Sequence, residues 1–276
     1  MIDGLTDLLA LDEFRTGVLF GLLASVGVGL GVALARRALP LAGVAFGVST
    51  VLSLVELFTV EIAFVAGLIV LAMGGGLACR RGPVVRLVAA VPGALIFTRG
   101  SDLHDPGWAM GTILVVILVG GVLVADFDQS FGRTGLPPVL LAVTALGVYG
   151  TTPDTEHSAI LAGAALAIAL LGWPRPLASL GVAGSLIATA LVAWDVVLDG
   201  MTRPGAVVGG LACLGMFVVE PVVGWASHRA GGGGRRLPAR DTLWVAALHV
   251  GVVVVCSRVA GLRTSATQSL VISALA

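Results

Sequence analysis

Ten long apolar stretches, separated by short polar loops, leave this chain few choices of fold. They run roughly over residues 17–35, 39–57, 60–78, 83–97, 107–125, 136–150, 157–173, 177–198, 204–225 and 242–262. Most approach the ~20 residues that an α-helix needs to cross a hydrocarbon core. Backbone groups in lipid must find their hydrogen bonds within the protein, which makes such stretches helical. The sequence therefore predicts an all-α fold: a polytopic integral membrane protein with about ten transmembrane helices. Residues 17–262 would form the bundle and residues 263–276 a C-terminal tail. Residues 1–16 would form an interfacial amphipathic segment, with an apolar stripe of Ile2, Leu5, Leu8, Leu9 and Leu11.

Composition narrows the function classes. Mean hydropathy is +1.05 and only 12% of residues are charged, about half the share in a soluble domain. Net charge is zero, so no overall field draws nucleic acid to the chain. Lysine is absent, which removes the Walker A phosphate loop and any Schiff-base chemistry. Cys79, Cys213 and Cys256 stand far apart without a C-x-x-C pair and read as small apolar residues. The protease and hydrolase signatures H-E-x-x-H and G-x-S-x-G are missing, as is G-x-G-x-x-G after a strand. No cofactor is implied. Asp3, Asp7, Asp12 and Glu13 against Arg15 are the reverse of a signal peptide's basic start.

Arginine placement predicts orientation. Alternate loops hold Arg36 and Arg37; Arg80, Arg81 and Arg86; Arg133; Arg175; and Arg229, Arg235, Arg236 and Arg240. Those loops are assigned to the cytoplasm of a cell-membrane protein, with the N-terminus and C-terminus outside. The opposite side carries most of the acid. Segment 83–97 is short and contains Pro92, so a re-entrant hairpin is an alternative to a crossing. The arginine pattern favours the crossing, because a hairpin would put the Arg229–Arg240 cluster outside. Ten spans would allow a 5+5 arrangement of inverted halves, the second starting at Leu136. Gly17/Gly21, Gly27/Gly31, Gly43/Gly47 and Gly205/Gly209 fall at GxxxG spacing, suited to close packing inside one bundle or to a dimer seam.

Two groups of residues suggest chemistry. The first is outward-facing: Asp102, His104 and Asp105 precede span five, and Asp154, Glu156 and His157 precede span seven, close to the only tyrosine, Tyr149. Imidazoles with carboxylates suit a divalent metal or an acid–base pair. Helix capping by Thr152 and Pro153, with acids at the positive end of the dipole, explains the carboxylates equally well. Capping does not explain His157 or Tyr149. The second group lies within the spans: Glu220 in span nine and His249 in span ten at matching depth, and Asp195 near the outer end of span eight. A proton-coupling role and simple polar bonding between helices both fit it. Asp199 is expected in the following loop, and Asp126 and Asp128 at a solvated end of span five.

The leading expectation is a transporter or permease for a small or amphipathic solute, proton-coupled through Glu220, His249 and Asp195, with Tyr149–His157 as an outer gate. A non-catalytic subunit scaffolding other membrane subunits is the second reading. A membrane enzyme using the outer acidic–histidine group is the third. The partners implied are the lipid bilayer, a small-molecule solute and other membrane subunits.

Overall fold

The computed structural model describes residues 9–35, 42–101, 107–131, 135–151, 156–172, 179–202, 204–215, 217, 219 and 247–255. These are helical, and no strand occurs among them. In chain order the helices are α1 (Asp12–Ala35), α2 (Ala42–Leu57), α3 (Ile62–Ala78) and α4 (Pro83–Gly100). Helix α5 runs Gly107–Val115, passes through a π turn at Val116–Gly120 and resumes over Gly121–Phe131. Then come α6 (Leu136–Thr151), α7 (Glu156–Gly172), α8 (Gly181–Thr202) and α9 (Pro204–Ala212). Residues 247–255 form a further helical piece.

Three segments, Pro83–Gly100, Gly107–Gln129 and Gly181–Met201, are long and apolar enough to cross a membrane. Ala42–Leu57, Ile62–Ala78, Leu136–Tyr149 and His157–Leu170 are apolar but shorter. Large apolar side chains also cover the outside: Ile62, Met73, Leu77, Val84 and Val88 are largely exposed along α3 and α4. A helix that is apolar on its outer face as well as its inner one belongs in lipid. The protein is therefore a membrane-associated helical bundle.

Helix α8 is the hub. It packs on α2, α3, α5 and α9 and touches α4, α6 and α7. Of its membrane-length segment 78% is buried, against 39% for those of α4 and α5. Small residues make this crowding feasible, because lipid supplies no hydrophobic force between helices and backbones must approach closely to gain dispersion energy. A Cβ on Gly43 of α2 would collide with the backbone of Gly184 in α8, and one on Gly47 with Ile187. The π turn brings Gly120 and Gly121 against Thr189 and Leu186 of α8. Gly17 and Gly21 of α1 meet Ile160, Ala164 and Ala167 of α7, and Gly163 fits between Phe14 and Val18 in return. Two of the GxxxG pairs thus lie in seams within the chain. Gly27 faces open space, and Gly31 and Gly205 lie where side-chain surroundings are not described.

Helix α3 packs antiparallel on α4 along Gly67, Gly93 and Gly100, opposite Phe97, Leu71 and Phe64 respectively. The segment considered for a hairpin is one continuous helix of 18 residues with Pro92 inside it. At helical rise it is about 27 Å long. Pro92 removes one backbone donor, and the helix continues because its buried face, Ala90, Gly93, Ala94 and Phe97, is held by α3. Of the amphipathic segment proposed for residues 1–16, residues 1–8 lie outside the described residues; Phe14 is buried in the core.

Polar groups close one end of the bundle. Asp126 and Asp128, expected to be solvated, are instead part of its packing. Arg86 of α4 is buried and its Nη1 bonds Asp126 Oδ1 at 2.6 Å. Arg86 Nη2 and Gln129 Nε2 both reach the Cys79 carbonyl, at 3.5 and 3.4 Å. Asp128, 3% exposed, accepts the Leu180 N–H at 3.1 Å and the Gly181 N–H at 2.8 Å. A helix start has unpaired N–H groups, and here the cap for α8 comes from α5 instead of from a residue beside it in sequence. Sequence spacing alone could not reveal a cap supplied from 52 residues away.

Three outcomes test these contacts. Gly43→Leu should force α2 off α8 and lower the melting temperature in detergent by several degrees, since overpacking costs about 1–3 kcal/mol. Gly27→Ala should leave it unchanged or raise it. Asp128→Ala should destabilise the chain by about 1–2 kcal/mol, as loss of an N-cap does, measured by equilibrium unfolding in mixed micelles.

Candidate functional site

The opposite end of the bundle holds a pocket of about 100 Å³. Four rings line it: Phe58 in the turn after α2, Phe64 in the first turn of α3, His157 at the start of α7 and Trp194 in α8. Their arrangement is continuous. Phe58 and His157 lie 4.5 Å apart between centroids and tilted; His157 meets Trp194 edge-on at 5.1 Å; Trp194 meets Phe64 edge-on at 5.1 Å. The Trp194 Nε1–H donates to the Ser101 carbonyl at 3.4 Å, which ties α8 to the end of α4. Glu61 and Ser101 add polar groups to the lining.

Directly behind this wall sits a buried polar pair. Ser158 follows His157, and Asp195 follows Trp194. The Ser158 hydroxyl meets Asp195 Oδ2 at 2.6 Å. Asp195 is fully buried, and its Oδ1 has no hydrogen-bond partner among the described residues. Asp199 lies one turn further along α8, on the same face, close enough for the two carboxyls to interact. Asp199 is not in a loop, as the end of the apolar run suggested. Helix α8 continues through it to Thr202, and Asp199 is 4% exposed. Hydrophobicity stops at Leu198 because the next inward-facing group is an acid, not because the helix stops.

The outward acidic–histidine group is brought together in part. Ser101, which immediately precedes Asp102, and His157 line the same pocket, so two segments 56 positions apart in sequence do meet. Asp102, His104, Asp105 and Asp154 lie outside the described residues, and so do Thr152, Pro153 and the side chain of Glu156. Tyr149 is not a loop residue: it lies in α6, is 7% exposed and is absent from the pocket lining. The apolar run of α6 continues through the glycines Gly147 and Gly150, so the helix reaches Thr151. Among the described residues no three His, Cys, Asp or Glu side chains are grouped to hold a metal ion.

The second group also divides. Glu220 lies outside the described residues. His249 is fully buried and its Nε2 lies 3.0 Å from Thr144 Oγ1. The Thr144 hydroxyl donates to the Cys213 carbonyl at 3.1 Å. A hydroxyl has one proton to give and two lone pairs to accept with, so Thr144, within hydrogen-bond distance of both the imidazole and the Cys213 carbonyl, ties the two together. Helix α9 has ended at Ala212, and the Phe217 N–H turns to the Leu214 carbonyl at 3.0 Å. This break makes the Cys213 carbonyl available to Thr144. Phe217 packs edge-on against the imidazole at 5.8 Å. Thr144 gave no signal in the sequence, since a lone threonine in an apolar span usually bonds its own helix, as Thr98 and Thr189 do here.

No protein-family model matches the chain, and no curated protein matches it.

The Thr144 bridge yields its own test. Thr144→Val keeps the shape but removes the hydroxyl that bonds His249 Nε2 and the Cys213 carbonyl. It should lower stability by about 1–3 kcal/mol, while Thr144→Ser should remain near wild type in the same unfolding titration.

Proposed function

We propose that this protein is a multi-pass permease of the cell membrane, with about ten spans, both termini outside, and transport of a small solute coupled to proton movement. One observation carries the reading: Ser158 and Asp195, which bond each other, directly follow the wall residues His157 and Trp194, so a buried carboxyl of the central helix lies next in sequence to the pocket wall. Ionisable groups inside membrane spans are costly, and they persist where they serve a solute or proton path. Asp195 and Asp199 are the coupling groups, Ser158 relays between Asp195 and the pocket, and His157 and Trp194 form the moving wall. Glu220 and His249 extend the path toward the other side, with a 5+5 arrangement of spans providing the two halves that rock.

The scaffold reading has less support. A scaffold presents its small-residue faces to partners, whereas Gly17, Gly21, Gly43 and Gly47 are all occupied by helices of the same chain.

Purified protein in proteoliposomes containing a pH-sensitive dye tests the proposal. The panel comprises choline, a polyamine, a neutral amino acid, a hexose and a dicarboxylate, each added against an imposed pH gradient. One solute should collapse the gradient, and Asp195→Asn should slow that flux at least about tenfold, equivalent to about 1.4 kcal/mol in the barrier. Ser158→Ala should slow it as well and serves if Asp195→Asn fails to fold. Wild-type flux in both variants, or no flux with any solute above empty liposomes, would refute the permease.

A further inference from the structure

We infer that the ring-lined pocket is a binding site for a small organic ammonium ion, of the trimethylammonium or dimethylammonium type. The inference takes the pocket as the solute site of the permease reading and names its substrate class.

Three features converge on that chemistry. The first is the wall. Phe58, Phe64, His157 and Trp194 are packed tilted or edge-on to one another instead of stacked, which leaves ring surface to line the cavity. The negative faces of aromatic rings attract a cation, and cages of this kind recognise methylated ammonium groups because such cations are poorly hydrated and cheap to desolvate. A neutral apolar solute would also fit rings, so the wall alone does not decide.

Charge decides. Glu61 lines the same pocket and sits at the N-cap of α3. Glutamate is longer than the residues that cap helices well, and the Glu61 side chain makes no capping bond. Its carboxylate is therefore free to meet a ligand at the mouth. No arginine is among the described lining residues, and the chain has no lysine to supply a competing cation. An anionic solute would meet the Glu61 carboxylate with no arginine among the described lining residues to offset it, which favours a cation over acids and phosphates. A bare metal ion is a poor candidate, since Glu61 is the only carboxylate among the described lining residues and hard cations need several oxygen ligands.

Size sets the limit. A volume of about 100 Å³ corresponds to about three molecules of liquid water. This accommodates an alkylammonium head group but not a sugar ring or a peptide. The rest of a longer solute would extend past Glu61 to the outside.

The test uses full-length protein in nanodiscs and isothermal titration calorimetry with two probes, choline and 3,3-dimethyl-1-butanol. The second replaces the ammonium nitrogen by carbon and keeps the shape. Choline should bind at least about tenfold more tightly than its neutral isostere, a difference of about 1.4 kcal/mol and within what a desolvated cation–π contact supplies. Trp194→Leu should weaken choline binding at least about tenfold, and Trp194→Phe should retain most of it. Glu61→Gln, at an exposed position, should weaken choline by about three- to tenfold without altering the affinity for the isostere. Equal binding of the two probes, no choline binding at millimolar concentration, or wild-type choline affinity in Glu61→Gln and Trp194→Leu would overturn the assignment. If another solute collapses the pH gradient in liposomes while choline fails to bind, the ammonium site is wrong and the permease stands. If choline binds with this selectivity but no solute moves protons, the site stands and the permease falls.

Discussion

A central helix in a membrane protein must satisfy two demands: its neighbours need to reach its backbone, and its polar groups need partners there. The first demand is met at Gly43 and Gly184, where the backbones of α2 and α8 approach so closely that neither position has room for a Cβ. Each helix surrounding α8 gains dispersion energy only by such contact, since leaving lipid for protein brings no hydrophobic gain. The glycines at the π turn repeat the arrangement for α5, and the α3–α4 pair repeats it along Gly67, Gly93 and Gly100. Without these approaches α8 would be one more peripheral helix, with its polar residues facing lipid.

The second demand is met differently along the length of α8. Near its start, Ser185 and Thr189 bond the carbonyls one turn back, Gly181 and Ser185. This satisfies each hydroxyl locally and asks nothing of the neighbours. At the N-terminus itself, Asp128 reaches across from α5 to take two free N–H groups. Toward the other end the solution is incomplete. Asp195 has one oxygen on Ser158 and one without a partner among the described residues. Buried polar atoms without a hydrogen bond among the described residues occur elsewhere too, at Thr50 Oγ1, Arg86 Nε and His249 Nδ1, but Asp195 is the one that directly follows a residue of the pocket wall, Trp194.

That asymmetry separates the two ends of the molecule. One end is fastened by the Arg86–Asp126 ion pair, by the Cys79 carbonyl that Arg86 and Gln129 share, and by the Asp128 cap. The other is fastened by ring contacts among Phe58, Phe64, His157 and Trp194, which hold by area and quadrupole, without fixed ion pairs. Ring contacts slide and re-form at low cost, whereas a buried ion pair is expensive to break.

Much of this was legible in the sequence. The apolar run lengths and the paucity of charge determined a helical protein of the membrane, because lipid allows few other backbones. Small residues at four-residue spacing marked close helix contacts, and Asp195 stood out as a carboxyl within an apolar stretch. Periodicity could not say which helix is central, because α5 is more apolar than α8 and yet is far less buried. Nor could it show that Asp199 is buried, that Tyr149 turns into the core, or that Thr144 holds His249. Each of these depends on a residue many positions away, and a local pattern carries no information about such a partner. The joining of His157 to Trp194, and of Ser158 to Asp195 behind them, was decided by the tertiary structure alone. It arises where the start of α7 and the last turns of α8 meet.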